Sequence, residues 1–336
     1  MKLFKKLSLL FAALALTITI AACDLEGDED WDTEYTSLTI ARGDWPSAEF
    51  HSHVAKFIVE NGWETFDVEI STLATAPMLV SLRAGEVDFH MEMWTENMAS
   101  YQDDLAEGLY EEVSVNFADN AQGIYIPEYV ATEYGIETIQ DLVDYKHLFP
   151  DPDASNWDPD HDKAVLWGGP SDWEITEFLM RKFENTEEYG DLIDAFEFRP
   201  LESTAMLNAQ LVANYENEEP WVGYHWEPSY IMGTLDMVLL GDDLPYDMET
   251  GAGNPPAQPV TIAARSGLDE DHPEIYSFLS NYQTSAAITS EAEAYMTDND
   301  LSAEEAAQWW LLNHPELWED WVPSEVFDNV MDALEE

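Results

Sequence analysis

Basic residues are scarce in this chain: 12 Lys and Arg stand against 70 Asp and Glu, a formal charge of −58 over 336 residues. A surface of that sign repels nucleic acid and anionic headgroups, which excludes a binding role on either. Cysteine is almost absent. With Cys23 alone, neither an intrachain disulfide nor a cysteine-based metal site can form. Past residue 22 no apolar run approaches the ~20 residues of a membrane-spanning helix. The sequence has no nucleophile elbow, no Gly-rich phosphate loop, no Cys–His pair and no internal repeat, and nothing in it calls for a cofactor.

What is present argues for a folded protein. Disorder would suit the charge, but 46% apolar residues with 13 Trp, 15 Tyr and 14 Phe supply ample material to bury. Concentrated salt shortens the reach of like-charge repulsion to ~3 Å at 1 M, so an extracytoplasmic protein of a salt-loving bacterium fits the composition. The length exceeds what one core usually serves, and two lobes are expected.

The amino terminus reads as an address. Lys2, Lys5 and Lys6 precede an apolar stretch from Leu7 to Ala22, too short and wrongly flanked for a stable span. Ile20-Ala21-Ala22-Cys23 resembles a lipobox, so residues 1–22 are expected to be a signal peptide and Cys23 a lipid anchor. Asp24 resembles the bacterial signal for retention at the inner membrane, and the acidic segment 23–36 reads as a tether. The expected location is the periplasmic face of that membrane.

The remainder alternates strand-like and helix-like pieces, which predicts an α/β architecture. Leu38–Ala41, Phe66–Ile70 and Val87–Met93 read as strands, and Pro46 opens a helix that Asn61-Gly62 should stop near Glu60. A helix is expected over Thr95–Glu107. Further strands are expected at 123–126, 165–167, 196–199, 222–226, 237–240 and 260–264, and the chain beyond Pro273 reads as helical. Ser171-x-x-Glu174 has the form of a capping box, which predicts a helix starting at Ser171.

Three segments each place a tryptophan where a strand ends or a helix begins: Phe89 to Thr95 with Trp94, Gly168 to Glu174 with Trp173, and Gly223 to Pro228 with Trp226. In open α/β sheets ligands bind beyond the carboxyl ends of strands. Three indole faces around one point suit a trimethylammonium group, with its diffuse charge and no N–H to satisfy, at roughly 0.5–2 kcal/mol per desolvated contact. The spacing alone fits equally well with tryptophans buried in separate cores.

From Leu38 to Glu336 the sequence resembles the glycine betaine/proline betaine substrate-binding proteins of ABC importers. The resemblance rests on Gly85-Glu86-Val87-Asp88 leading to Trp94-Thr95, on Ala121-Gln122-Gly123-Ile124-Tyr125, on the Pro170–Glu174 turn and on Tyr224-His225-Trp226-Glu227-Pro228. It implies a two-lobe periplasmic-binding-protein fold of type II character, with two crossover hinges and the ligand in the interdomain cleft. Lobe 1 would take residues 37–121 plus 243–336 and lobe 2 residues 122–242. It also implies a cage from Trp94, Trp173 and Trp226, an ABC permease as partner, and a monomer in solution.

Departures from the family pattern bear on the ligand's carboxylate. The family carries a histidine four residues after the first cage tryptophan, where this chain has Met98; Gly-Cys after the second is here Glu174-Ile175. The backbone amides of Glu174 and Ile175, in a helix's first turn, are the candidate carboxylate seat. Asp44 and Trp45 of the Gly43–Pro46 turn are candidate walls, and His225 beside Trp226 is a further candidate. Glu92 lies two residues from Trp94 on one strand face; with Glu227, it would favour a net cation if it faced the cleft. Glu227 is expected in solvent.

Asp151, Asp153, Ser155 and Asp162 alternate like a calcium loop, but Asn156 replaces the central glycine and the loop ends in Asp. His51-x-His53 and His90-x-Glu92 lack partners at zinc-site spacing, so no metal is expected. The function expected is capture of glycine betaine or a related quaternary ammonium compound for import in osmoprotection. Choline, carnitine or a guanidinium compound on the same fold is an alternative. An extracytoplasmic hydrolase using carboxylate pairs is another, although so acidic a sequence makes chance pairs inevitable.

Overall fold

Alternating apolar residues in short segments, each bounded by turn residues, build ten strands in this computed structural model, which describes residues 35–335 apart from 96, 97 and 99. The signal peptide, Cys23 and nearly all of the tether lie outside the described residues. In chain order the strands are β1 (Thr36–Arg42), β2 (Phe66–Thr72), β3 (Phe89–Trp94), β4 (Tyr110–Phe117), β5 (Ala121–Pro127), β6 (Ala164–Pro170), β7 (Phe196–Leu201), β8 (Gly223–Glu227), β9 (Met237–Leu239) and β10 (Val260–Arg265).

They form two five-stranded sheets, ordered β2-β1-β3-β10-β4 and β7-β6-β8-β5-β9. Within each, the two strands flanking the second position run parallel to it (β1 with β2 and β3, β6 with β7 and β8) and the remaining pairs are antiparallel. The chain passes from the first sheet to the second between Phe117 and Ala121 and returns between Leu239 and Val260. This is the two-lobe periplasmic-binding-protein fold.

Each sheet has its own core. Leu38, Ile40, Phe89, Met91 and Ile262 pack with Trp310, Trp318 and Trp321 from the C-terminal helices. Ile124, Ile126, Leu166, Phe178 and Leu211 fill the other, and Trp45 and Trp94, carried by the first sheet, pack into that second cluster. The two lobes therefore meet through aromatic side chains.

Pro46 stands at the first position of the helix Pro46–Trp63, as its fixed φ favours. That helix runs past the expected stop: Gly62 is buried against Val326 of the helix Ser324–Glu335, so tertiary packing overrides the local breaker. Of the helix expected over Thr95–Glu107, the described residues show an α-helix at Tyr101–Glu107, and β4 has no counterpart in the sequence reading. Among the described strands β4 stands at the sheet edge, paired with β10, and its Glu111 and Glu112 break the apolar alternation that marks a strand.

The capping box at Ser171 also fails. The backbone turns once more, with the Trp173 N–H donating to the Pro170 carbonyl at 3.2 Å, and the helix Glu174–Glu184 begins with Trp173 as its N-cap. Ser171 is exposed and Glu174 extends to Arg181 at 2.6 Å instead of back to the cap. The 151–162 loop is likewise built on ion pairs. Arg199 holds Asp151 at 2.9 Å and Asp153 at 3.1 Å, and Asp162 accepts the N–H of Asp158 at 2.8 Å. Among the described residues no group of three acidic or histidine side chains could hold a metal ion.

Candidate functional site

Four strands of the two sheets end at one place. β1 runs into the turn that carries Trp45, β3 ends on Trp94, β6 leads through Pro170 to Trp173, and β8 presents Trp226. The four indoles line a single cavity, two from each sheet, together with Tyr224. Thr75 and Met98 complete the lining, and no charged side chain among the described residues is part of it.

Trp173 meets its neighbours edge to face, while Tyr224 and Trp226 stack at 24° with centroids 6.0 Å apart. Trp173 lies 6.0 Å from Trp45 at 84° and 5.4 Å from Trp226 at 75°, centroid to centroid. Tyr224 stands 6.3 Å from Trp173 at 83°, with its hydroxyl directed away to Gln122 Oε1 at 3.0 Å. The perpendicular contacts of Trp173 turn π faces of different rings toward the cavity, and each face carries the negative lobe of a ring quadrupole. Such a space attracts positive charge without offering it a counter-ion. It also offers few hydrogen-bond acceptors, so an N–H-bearing cation would enter with its donors unpaired.

Of the expected residues, Trp94, Trp173, Trp226 and Trp45 converge on the cavity. Met98, at the position where the family pattern has histidine, lines it as well. Glu174 and Ile175 hold the first two helical positions after Trp173, where backbone N–H groups have no intrahelical acceptor. Asp44 does not join them: its side chain points to solvent while its neighbour Trp45 turns inward. His225 is buried outside the cavity, stacked on Trp226 at 4.6 Å with Nε2 3.1 Å from Asn208 Oδ1. Burial holds that imidazole neutral, its pKa lowered to about 4. Glu227 is exposed and accepts from the Tyr125 hydroxyl at 3.0 Å.

Glu92 is the least expected. It is fully buried, yet it lies outside the cavity, with Oε2 accepting from Trp45 Nε1 and from Ser47 Oγ at 2.9 Å. Burial pushes its carboxyl up to about 8, against the lowering effect of those two bonds.

Sequence reasoning missed Tyr224 and Thr75 as lining residues. Tyr224 had a signal: it precedes Trp226 by two on β8, hence shares its face. Thr75 had none.

Comparison with known proteins gives a consistent result. A family model described as the substrate-binding domain of an ABC-type glycine betaine transport system matches residues 36–313. The glycine betaine/carnitine transport binding protein GbuC of Listeria monocytogenes is 29% identical over 119 residues, 35% of this chain and 37% of that protein, so the match spans little more than a third of the relative's length. Among solved structures, the glycine/betaine/L-proline-binding protein ProX of Borrelia burgdorferi superposes with a TM-score of 0.68 at 19% identity, covering 88% of this chain and all of that one. A choline-binding protein of an ABC transporter, in complex with choline, gives 0.66 at 18% identity over 89% and 98%.

Proposed function

The chain belongs to the family of substrate-binding domains of ABC-type glycine betaine transport systems, and on that premise we propose that its aromatic cavity captures a small quaternary ammonium compound, glycine betaine foremost, for delivery to a membrane permease. The observation that carries this reading is the convergence of Trp45, Trp94, Trp173 and Trp226 on a cavity with no charged lining residue. A trimethylammonium group spreads its charge over methyl hydrogens and donates no conventional hydrogen bond. It therefore gains from every π face, roughly 0.5–2 kcal/mol each when desolvated, and leaves nothing unpaired. The carboxylate of a zwitterionic ligand is received by the first-turn N–H groups of Glu174 and Ile175, at the positive end of the helix Glu174–Glu184.

Because each sheet supplies two walls, a ligand touching all four draws the lobes together. Binding then biases the protein toward the closed shape that a permease would read. Lobe 1 comprises 37–121 with 243–336 and lobe 2 comprises 122–242. Among the described residues no helix is long and apolar enough to cross a membrane. The attachment we propose is a lipid on Cys23, holding a monomer on the periplasmic face of the inner membrane of a salt-adapted cell.

Choline shares the ammonium group and lacks the carboxylate, so it is the ligand to test against betaine. A thermal-shift series in ~1 M salt with betaine, proline betaine, choline and carnitine decides the matter. A ligand at ~100 times its Kd stabilises the native state by about 2.7 kcal/mol, a rise in Tm on the order of 5 °C. Failure of all four to raise Tm at millimolar concentration would overturn the proposal.

A further inference from the structure

Trp45 differs from the other three cage tryptophans in how it is held. Trp94 and Trp226 are part of strands, and Trp173 caps a helix. Trp45 sits in the short turn between β1 and the helix Pro46–Trp63, where the backbone fixes a side chain less firmly. Two features compensate. Gly43 lies directly against the indole, so close that a Cβ there would come within 1.8 Å of Trp45 Cζ3. At the ring's far edge, Nε1 donates to Glu92 Oε2, which also accepts from Ser47 Oγ at 2.9 Å. The indole is pinned between a missing side chain and a buried acid.

Glu92 is an expensive choice for that task. It is fully buried, and Oε1 has no hydrogen-bond partner among the described residues. An amide would satisfy both donors without an ionisable oxygen left bare. Among the described residues no basic group is positioned to neutralise it. His90, on the same strand, is buried with Nδ1 2.8 Å from the Ala41 carbonyl oxygen, and burial lowers its pKa to about 4. His51, on the helix Pro46–Trp63, is lowered to about 3 by burial and is bonded through Nδ1 to the Tyr282 hydroxyl at 2.8 Å. Tyr282 is pushed well above its usual range by burial, with Glu92 adding to the effect. The remaining acid, Glu293 on the helix Ala286–Asp298, is held mostly neutral by burial, and Glu92 contributes to that as well. Glu92 thus sits among neutral groups, behind one wall of a cavity that attracts positive charge.

The geometry points to Glu92 as a positioning and specificity residue of the cage: it fixes the Trp45 indole through Nε1, and its protonation state sets how strongly a net cation is preferred over a zwitterion. This rests on the cage reading given above. With Glu92 neutral, no negative charge lies behind Trp45 and the carboxylate of betaine is tolerated. Burial places the carboxyl at about 8, so ionisation comes as pH rises through that value. The charge then acts through a low-dielectric indole, attracting tetramethylammonium and opposing the carboxylate of betaine. Glu293 titrates in the same range, also at about 8, so it requires its own control.

The test is a calorimetric double-mutant cycle with tetramethylammonium and betaine as probes. Glu92→Ala is expected to weaken tetramethylammonium binding about tenfold in the natural sequence and less than about twofold in a Trp45→Phe background, because phenylalanine has no N–H for Glu92 to hold. Glu92→Gln, which keeps an acceptor, restores most of the loss. Gly43→Ala displaces the indole without touching Glu92 and is expected to reproduce the Glu92→Ala defect should that variant fold poorly. In the pH arm, the affinity ratio of tetramethylammonium to betaine rises about tenfold between pH 6.5 and pH 9 in the natural protein and in Glu293→Gln, and stays flat in Glu92→Gln. Equal losses from Glu92→Ala in both backgrounds, or a ratio in Glu92→Gln that still rises with pH, would overturn this inference alone. Failure of the natural protein to bind either probe would overturn the cage itself.

Discussion

Replacing Glu293 by glutamine should make the protein more stable at neutral pH, by an amount that grows with pH. Glu293, on the helix Ala286–Asp298, is 1% exposed, with Oε2 accepting from the backbone N–H of Tyr230 at the start of the helix Tyr230–Thr234. Burial pushes its carboxyl from 4.5 to about 8; the Tyr230 bond opposes that shift and nearby Glu92 reinforces it. Between those values the folded protein keeps a proton that the unfolded chain has released. The native state binding more protons, stability is greatest below the unfolded value and falls as pH rises through the window, by about 1.4 kcal/mol per pH unit. Glutamine retains an acceptor for Tyr230 and does not titrate. Urea unfolding in ~1 M salt, which suppresses the general repulsion of the acidic surface, should show the advantage of Glu293→Gln growing by about 3 kcal/mol from pH 5.5 to pH 7.5. Parallel stability curves would refute the reasoning, as would a variant that loses ground as pH rises.

Two further outcomes concern the frame around the site. Lys182 and Asp242 form an ion pair with both side chains buried, Lys182 Nζ also reaching the Tyr189 hydroxyl and the Gly253 carbonyl oxygen at 3.0 Å each. Lys182→Met strands the Asp242 charge and should cost about 3–5 kcal/mol by chemical denaturation, whereas a loss under ~1 kcal/mol would contradict the role given to the pair. At Gly62 an added Cβ would lie 2.5 Å from Val326 Cγ1, so Gly62→Ala forces apart two packed helices. The expected loss is about 1–3 kcal/mol, seen as a lowered Tm, although alanine has the better helix propensity; a gain in Tm would mean the C-terminal helix yields freely.

The convergence of the tryptophans on one cavity was legible in the sequence because strand ends and helix starts can be located from local pattern, and three tryptophans stand at them. Its details were less so. Asp44 and Trp45 are adjacent, and the glycine beneath the indole and the Glu92 acceptor at its edge, neither visible in local pattern, accompany the inward turn of Trp45. Strand alternation puts Glu92 and Trp94 on one face in the sequence reading, but a side chain from another element, Trp45, takes up the Glu92 carboxyl, which stays outside the cavity. The Ser171 motif is local chemistry overruled by one additional turn of backbone. β4 was hidden because an edge strand tolerates the acidic residues that disguise it.

In the proposed function this cavity selects its ligand by positive charge on a methylated centre. Glycine betaine and 3,3-dimethylbutanoate have the same shape and carboxylate and differ in whether that centre is nitrogen or carbon. Calorimetry on the natural protein should find betaine bound at least about tenfold more tightly; equal affinities would mean that the rings act as an ordinary apolar pocket.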